Sequence, residues 1–427
     1  MEDKKLFNEG NYRGLINKYQ GKKEDELDVW QLYWICKSYY KLKEYAKFQL
    51  MYKKYISKKP EKDLLRNFNL WSYFHSVINV KEVEERNFFK CAEYIISNCE
   101  QEDEFSPYTA TVLKVIKHIK ATSVNLNYEN IYNWTGYLNP NLISDKEKVL
   151  TDENGKETKY ASDKEQWYCD RSKACLRLEK YEECIKVCEE GLGKSNQFTN
   201  NIKFHGQNEI WLKSRIGKCK RMIGDLEEAK KIFSRLVLES DNFSLKSELA
   251  EIYEELNEEE LSKRYYYEAV LSNGAIKSKI NIIEKIGDIL IEDGNLQSGK
   301  LHYLFVKSIR EEENWKISNE LINKINILEN VECTIDEKQL QRKCKEIWSK
   351  ELKRMLPVGN GVIKNLLKGG NSGFIKAENR ELYFNTRNIL GRKTDELIGK
   401  KVDFSIIESY DRNKKTISFE AINIRLS

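Results

Sequence analysis

Four histidines, ten cysteines, one phosphate-loop-like stretch and one dense run of glutamates are the places where this 427-residue chain could carry catalytic or metal chemistry. His75, His118, His205 and His302 form no His-Glu-x-x-His, Ser/His/Asp or Cys/His pattern. His75, His118 and His302 fall within helical periodicity, as packed or surface residues do. Cys184 and Cys188 lie one helical turn apart, but without a nearby histidine or a second matching pair they read as small interlocking residues rather than zinc ligands. Gly191-Leu192-Gly193-Lys194-Ser195 has Cys188 where a phosphate loop needs its first glycine, and a helix rather than a strand in front. Glu251, Glu254, Glu255, Glu258, Glu259 and Glu260 recur at helical spacing, the pattern of a solvated face. The chain therefore reads as a non-enzyme, with neither metal nor cofactor implied.

Binding chemistry is easier to place. Residues 358–427 hold 13 Lys and Arg against 8 Asp and Glu, while the whole chain holds 73 against 68, so the preceding 357 residues balance at 60 and 60. The net positive charge therefore belongs to the C-terminal segment, as phosphate contacts would require. Lys364, Lys368, Lys376, Arg380, Arg387, Arg392 and Lys393 are its candidates. A second polar and aromatic cluster, Phe204-His205-Gly206-Gln207-Asn208-Glu209-Ile210-Trp211, precedes a helical segment. His205, Asn208 and Trp211 are candidates to line a partner groove; capping a helix would explain them equally well.

The elements that hold these residues follow from period and punctuation. Only four prolines occur, and apolar residues recur at three- and four-residue spacing from Phe7 to Pro60 and again from Ser162 to Leu328, predicting helices. Ser106-Pro107 is a helix start, and Leu64, Leu65, Phe68, Trp71, Phe74 and Ile78 form one apolar face. From Ala121 to Asp163 the helical period fails, and Val149 to Lys156 reads as a hairpin around Asn154-Gly155. Thr334-Ile335-Asp336-Glu337 is a capping box that opens a last helix, stopped by Pro357 and Gly359. Beyond it, short apolar runs broken by glycines and by a turn at Asp411-Arg412-Asn413 predict about five strands, enough for a small closed barrel.

Two resemblances sharpen this outline. Ile35, Tyr39, Tyr45, Phe48, Tyr52, Tyr55 and Pro60, and then Gly217, Ala250 and Gly287 at separations of 33 and 37, resemble tetratricopeptide repeats, which stack into a superhelix with a concave groove. The C-terminal segment resembles a cold-shock domain. Gly361 to Lys364 match its opening motif, Gly373-Phe374-Ile375 its second, Tyr383 its third, and Leu397, Gly399, Val402, Phe404, Ala421, Asn423 and Ile424 its ending. Asn365, Leu366, Ser372 and Asn385 stand where that family has aromatic residues or histidine. The resemblance implies that Phe374 and Tyr383 stack bases of a single strand, with Lys364 beside them and Asn385 at the histidine position. Trp167 to Ala174 and Phe204 to Trp211 also resemble repeat proteins of prokaryotic conflict (TOTE-type) systems, which implies a role in defence with catalysis left to partners.

The expected fold is mainly α: a tetratricopeptide-like superhelix carrying a C-terminal five-stranded OB, cold-shock-like β-barrel. The expected domains are an N-terminal helical-repeat region (1–122), an irregular insertion (123–163), tetratricopeptide-like repeats (164–330), a connecting helix (331–357) and the barrel (358–427). The expected function is a non-enzymatic adaptor that holds a protein or peptide partner in the repeats and offers the barrel to RNA or single-stranded DNA. The alternative is a partner-sensing repeat regulator whose barrel is a protein-docking module. No stretch approaches 18 uninterrupted apolar residues, and Met1-Glu2-Asp3-Lys4-Lys5 has no apolar core behind it, so a cytoplasmic protein without membrane contact is expected.

Overall fold

The computed structural model describes residues 2–22, 26–82, 84–122, 125–193, 202–333, 339–378, 380–390, 396–411, 414 and 416–426. Two compact units divide between Arg215 and Ile216. The first contains α1 (Glu2–Asn8), α2 (Tyr12–Lys18), α3 (Val29–Lys41), α4 (Tyr45–Ser57), α5 (Arg66–Tyr73), α6 (Glu85–Ile96), α7 (Tyr108–Thr122), α8 (Tyr128–Gly136), the two-stranded hairpin β1 (Lys148–Thr151) and β2 (Glu157–Tyr160), α9 (Asp163–Arg177) and α10 (Tyr181–Gly191). Helix α11 (Asn208–Met222) runs across the division. The second unit continues with α12 (Leu226–Glu239), α13 (Phe243–Glu255), α14 (Glu259–Leu271), α15 (Ile280–Glu292), α16 (Leu296–Glu312), α17 (Asn319–Ile327), α18 (Leu340–Met355) and five strands, β3 (Val358–Leu366), β4 (Ser372–Lys376), β5 (Glu381–Asn385), β6 (Lys401–Asp411) and β7 (Thr416–Leu426). The fold is mainly α with a C-terminal closed barrel.

The helical hairpins repeat one design. In α3/α4, α9/α10, α11/α12, α13/α14 and α15/α16, the turn is built on a left-handed residue: Lys43, Glu179, Gly224, Asn257 and Gly294, with φ of 59°, 58°, 86°, 59° and 79°. The next residue's N–H donates back to a carbonyl five positions earlier, Glu44 to Tyr39 and Asn295 to Leu290 for example, at 2.8–2.9 Å in all five. This is the Schellman closure that ends a helix on satisfied carbonyls. Seven residues before each left-handed position stands a small side chain, Cys36, Ser172, Gly217, Ala250 and Gly287. Sixteen residues after that stand Tyr52, Cys188, Phe233, Tyr266 and Tyr303. At the two glycines the second residue fills the room the first leaves: a Cβ on Gly217 would come within 2.6 Å of the Phe233 ring, and one on Gly287 within 2.7 Å of Tyr303. These are tetratricopeptide-like pairs; a small residue against an aromatic one sets the helix approach at Gly217 and Gly287, whereas α9/α10 has the two small residues Ser172 and Cys188 at these positions.

Three expectations meet a different structure. The stretch expected to be irregular from 123 contains α8, where the Asn127 side chain accepts from the Asn130 N–H at 3.0 Å and Ile131 and Trp134 bury against the first unit's core. Its asparagines and tyrosines hid the period, because only three of its nine residues are buried. Four of the six glutamates in the acidic run add inter-helix ion pairs to the solvated face, while Glu259 and Glu260 stay exposed and make none among the described residues. Arg221 binds Glu251 and Glu255, Lys285 binds Glu254, and Lys230 binds Glu258. Leu64, assigned to the α5 apolar face, is 42% exposed; it precedes the helix, which begins at Arg66, and it is the adjacent Leu65 that is fully buried. The capping box at 334–337, the turn residues Arg412 and Asn413, and Lys194 and Ser195 lie outside the described residues.

In the second unit, α18 packs on α14 and α16 and leads directly into β3. The barrel runs β3-β4-β5-β7-β6 and closes β6 onto β3. Every pairing is antiparallel except β5 with β7. Its core is Ile363, Ile375, Leu382, Phe384, Val402, Phe404, Ala421 and Ile424, each at most 3% exposed. Gly373 is required where it stands: a Cβ there would lie 2.2 Å from the Asn365 carbonyl oxygen and 3.0 Å from the Phe384 ring. Gly369 and Gly370, at φ 99° and 70°, make the left-handed turn between β3 and β4.

Candidate nucleic-acid interface on the barrel

Alternation along β4 and β5 sorts their side chains. Ile375, Leu382 and Phe384 point into the barrel, which sends Phe374, Lys376, Glu381 and Tyr383 outward. Phe374 and Tyr383 face each other directly in the β4–β5 register, ring centroids 6.0 Å apart and planes at 72°. Two rings set edge to face offer one open face and one edge, so they form a single stacking position rather than a run of parallel ones. Tyr383 is 36% exposed, enough to present that face.

The cations around this pair differ in how they are held. Lys364 sits at an irregularity in the β3–β4 register and forms an ion pair with Glu381, with both side chains about half exposed. A pair that exposed is worth about 0–1 kcal/mol, so exchanging the carboxylate for a phosphate costs little. Arg380 lies with its guanidinium 4.9 Å from the centre of the Phe419 ring. Lys376 stands beside Val362 on one strand and Glu381 on the other, and Lys368 lies in the β3–β4 turn; neither makes an ion pair among the described residues. Asn385 spends its side-chain oxygen on the backbone N–H of Arg387 at 3.0 Å and on its Nε at 3.1 Å. It thus orients Arg387 and is committed to a cap. Arg392 and Lys393 lie outside the described residues.

Phe419 was absent from the sequence-based candidates. The strand alternation Ile417, Phe419, Ala421 places it with the inward residues, yet it is 38% exposed while Ala421 is fully buried. The reason is length: β6 and β7 run 11 residues against five in β4 and β5, so their far ends pass beyond the barrel's mouth. Burial also lifts the Glu420 carboxyl above its usual range, with the Arg387 charge working against it.

The second set of candidates separates. His205 is held on both ring nitrogens, Nδ1 at 2.8 Å from Glu165 Oε2 and Nε2 at 2.9 Å from Glu147 Oε1, and its backbone N–H donates to Glu165 Oε1 at 2.8 Å. Asn208 Nδ2 donates to the same Oε1 at 2.7 Å. Glu165 is fully buried on α9, so His205 and Asn208 tie the loop before α11 to α9 and to the segment leading into β1. The hydrogen bond the ring donates to Glu165, with Glu147 adding to it, holds the His205 pKa above the ordinary histidine value. Trp211 lies one helical turn beyond Asn208 and takes no hydrogen-bonding part in this cluster. Among the described residues no group of three or more His, Cys, Asp or Glu side chains could hold a metal ion, and no helix is long and apolar enough to cross a membrane.

Comparison with known proteins adds a little. A family model described as Domain of unknown function (DUF7017) matches residues 210–341, less than half of the chain. No curated protein matches. Among solved structures, the C-terminal part of a TPR repeat-containing protein from Cytophaga hutchinsonii is 14% identical with a TM-score of 0.23, covering 78% of this chain and 95% of that one. The APC/C hetero-tetramer Cut9-Hcn1 is 11% identical with a TM-score of 0.21, covering 82% of each chain. Superposition at that level carries no argument, and the tetratricopeptide-like character rests on the chain's own five hairpins.

Proposed function

We propose that the protein is a non-enzymatic adaptor whose helical hairpins hold a protein partner and whose barrel engages RNA or single-stranded DNA. The observation that carries the nucleic-acid part is the edge-to-face pair Phe374 and Tyr383 on the outer surface of β4 and β5. A five-stranded barrel of the OB type binds oligonucleotides on that second-and-third-strand face, and the strand order here fits that type. Lys364, Lys368, Lys376, Arg380 and Arg387 lie on β3 and β4 or in the segments that join β3, β4 and β5 and follow β5, and supply charge without sequence readout. The resemblance to conflict-system repeat proteins supports a defence setting in which partners carry the catalysis.

The test is fluorescence anisotropy of a labelled dodecamer of uridine or thymidine with the full chain over 25–200 mM salt. Binding weakens with salt by a log–log slope of about −0.7 per phosphate contact. Tyr383→Ala weakens it by roughly five- to 150-fold, the worth of one stacked base. Unchanged binding in Tyr383→Ala removes the site, and no binding at the lowest salt removes the nucleic-acid reading. The protein-docking alternative has its own observation: Val358, Ile398 and Ile417 are 76%, 60% and 63% exposed on the barrel. Docking there predicts that Ile398→Asp and Ile417→Asp release a partner protein while oligonucleotide binding is absent.

A further inference from the structure

The first hairpin carries a feature that the charge balance of the whole chain conceals. Residues 29–59 contain eight lysines and one acid, Glu44, interleaved with nine aromatic residues. On α3, Trp30, Tyr33, Trp34, Lys37 and Lys41 recur at three- and four-residue spacing and share one face. Lys37 is the centre of that face. Its ammonium lies 4.9 Å from the centre of the Phe7 ring, 5.3 Å from Tyr33, 5.5 Å from Trp34 and 5.5 Å from Phe68. Four rings thus hold one cation, and Lys37 makes no ion pair among the described residues. Lys41, Lys43, Lys53 and Lys59 on the same hairpin likewise make none. Beside this face opens a cavity of about 260 Å³ lined by Val29, Trp30, Tyr33, Tyr55, Pro60 and Leu64 together with the charged pair Glu61 and Lys62, which offset one another, and its rim residue Trp30 is 61% exposed.

We propose that this face of α3 docks an acidic linear peptide, with a carboxylate meeting Lys37 and an adjacent apolar side chain filling the cavity beside Trp30. Charge selects an anionic partner. Ring geometry then selects peptide over nucleic acid: Trp30 and Tyr33 stand at 75° and Tyr33 and Trp34 at 80°, so successive rings present no parallel faces for stacked bases. The Lys37 ammonium also occupies the ring faces that a base would need. An ammonium over aromatic rings keeps its hydrogen-bond donors free on the outer side, where a carboxylate can approach. The proposal gives chemistry to the partner that the adaptor reading leaves open, and rests on that reading only in supposing that a partner exists.

The test is selection of a random dodecapeptide display library on the immobilised full chain, compared with Lys37→Met and Trp30→Ala. Lys37→Met keeps the apolar stem within the rings, and both variants are first shown to unfold at the wild-type temperature. The expected result is enrichment of Asp or Glu beside Phe, Leu, Ile or Trp. Synthetic winners should then bind wild type at least tenfold more tightly than either variant and lose binding when Gln replaces Glu. No enrichment, enrichment without acidic residues, or equal binding by Lys37→Met overturns the proposal. Displacement of the peptide by a thymidine dodecamer in a Tyr383→Ala background also overturns it, since the surface would then be a nucleic-acid site. The barrel reading is judged separately by oligonucleotide binding, so either can fail without the other.

Discussion

His302 makes the most quantitative prediction. Its side chain is fully buried on α16, with Nδ1 2.7 Å from the Ser298 carbonyl oxygen and Nε2 accepting from the Trp348 indole N–H at 2.7 Å. The two bonds fix a neutral imidazole with its proton on Nδ1, and they hold α18, the helix that leads into the barrel, against α16. Protonation of Nε2 would break the Trp348 bond and bury a charge, and burial accordingly pushes the histidine down to about 4 from 6.5. A base whose folded pKa is depressed binds its proton first in the unfolded chain. Its stabilisation is therefore complete above pH 6.5 and is lost as pH falls from 6.5 toward 4. That difference corresponds to about 3 kcal/mol. The control is His302→Leu with Trp348→Phe, which removes the titration and leaves neither an orphaned donor nor an orphaned acceptor. Amide exchange across α16 and α18, compared between wild type and double variant at the same pH from 7.5 to 4, cancels the intrinsic exchange rates. Protection in wild type should fall relative to the double variant by a free energy approaching ~3 kcal/mol at the acid end. Parallel loss in the two proteins would refute the reasoning.

The other predictions are shorter. The His205 ring proton should titrate in NMR above the ordinary histidine midpoint, and Glu165→Gln should bring it down; because the folded pKa is raised, the stability it contributes is present below about pH 6.5 and fades as pH rises through the raised value. Gly217→Ala drives a methyl into the Phe233 ring and should cost about 1–3 kcal/mol in urea unfolding, with Gly217→Ala/Phe233→Leu recovering much of it. Gly373→Ala should cost at least as much, because the clash is with the Asn365 backbone, and it should lower oligonucleotide binding through the barrel. Phe384→Ala empties a fully buried site in the barrel and should destabilise by about 3–5 kcal/mol.

Much of this architecture is legible before any coordinates. Gly217, Ala250 and Gly287 mark the hairpins because a close helix approach excludes larger side chains, and the glycines after Pro357 mark the change to strands because they sit at turns and close backbone contacts. Helix α8 was illegible because its polar tyrosines and asparagines bury only one narrow edge. The glutamates from 251 to 258 looked solvated because their partners, Arg221, Lys230 and Lys285, come from other helices. The barrel's candidate face was legible in part. Phe374 and Tyr383 declare themselves as aromatics at outward positions of consecutive strands, whereas Lys364 paired with Glu381 and Arg380 placed over Phe419 do not.

Local rules written in the sequence, namely period, small residues and turn chemistry, determined that the chain would be helical hairpins ending in a small barrel. Tertiary structure decided which charges are free. Lys364 and Lys37 are both lysines whose neighbours in sequence carry no charge, yet one lies against a carboxylate from β5, two strands away, and the other among four rings contributed by α1, α3 and α5. Coulomb and cation–π energies depend on distances across elements far apart in the chain, and no spacing in the sequence encodes those distances.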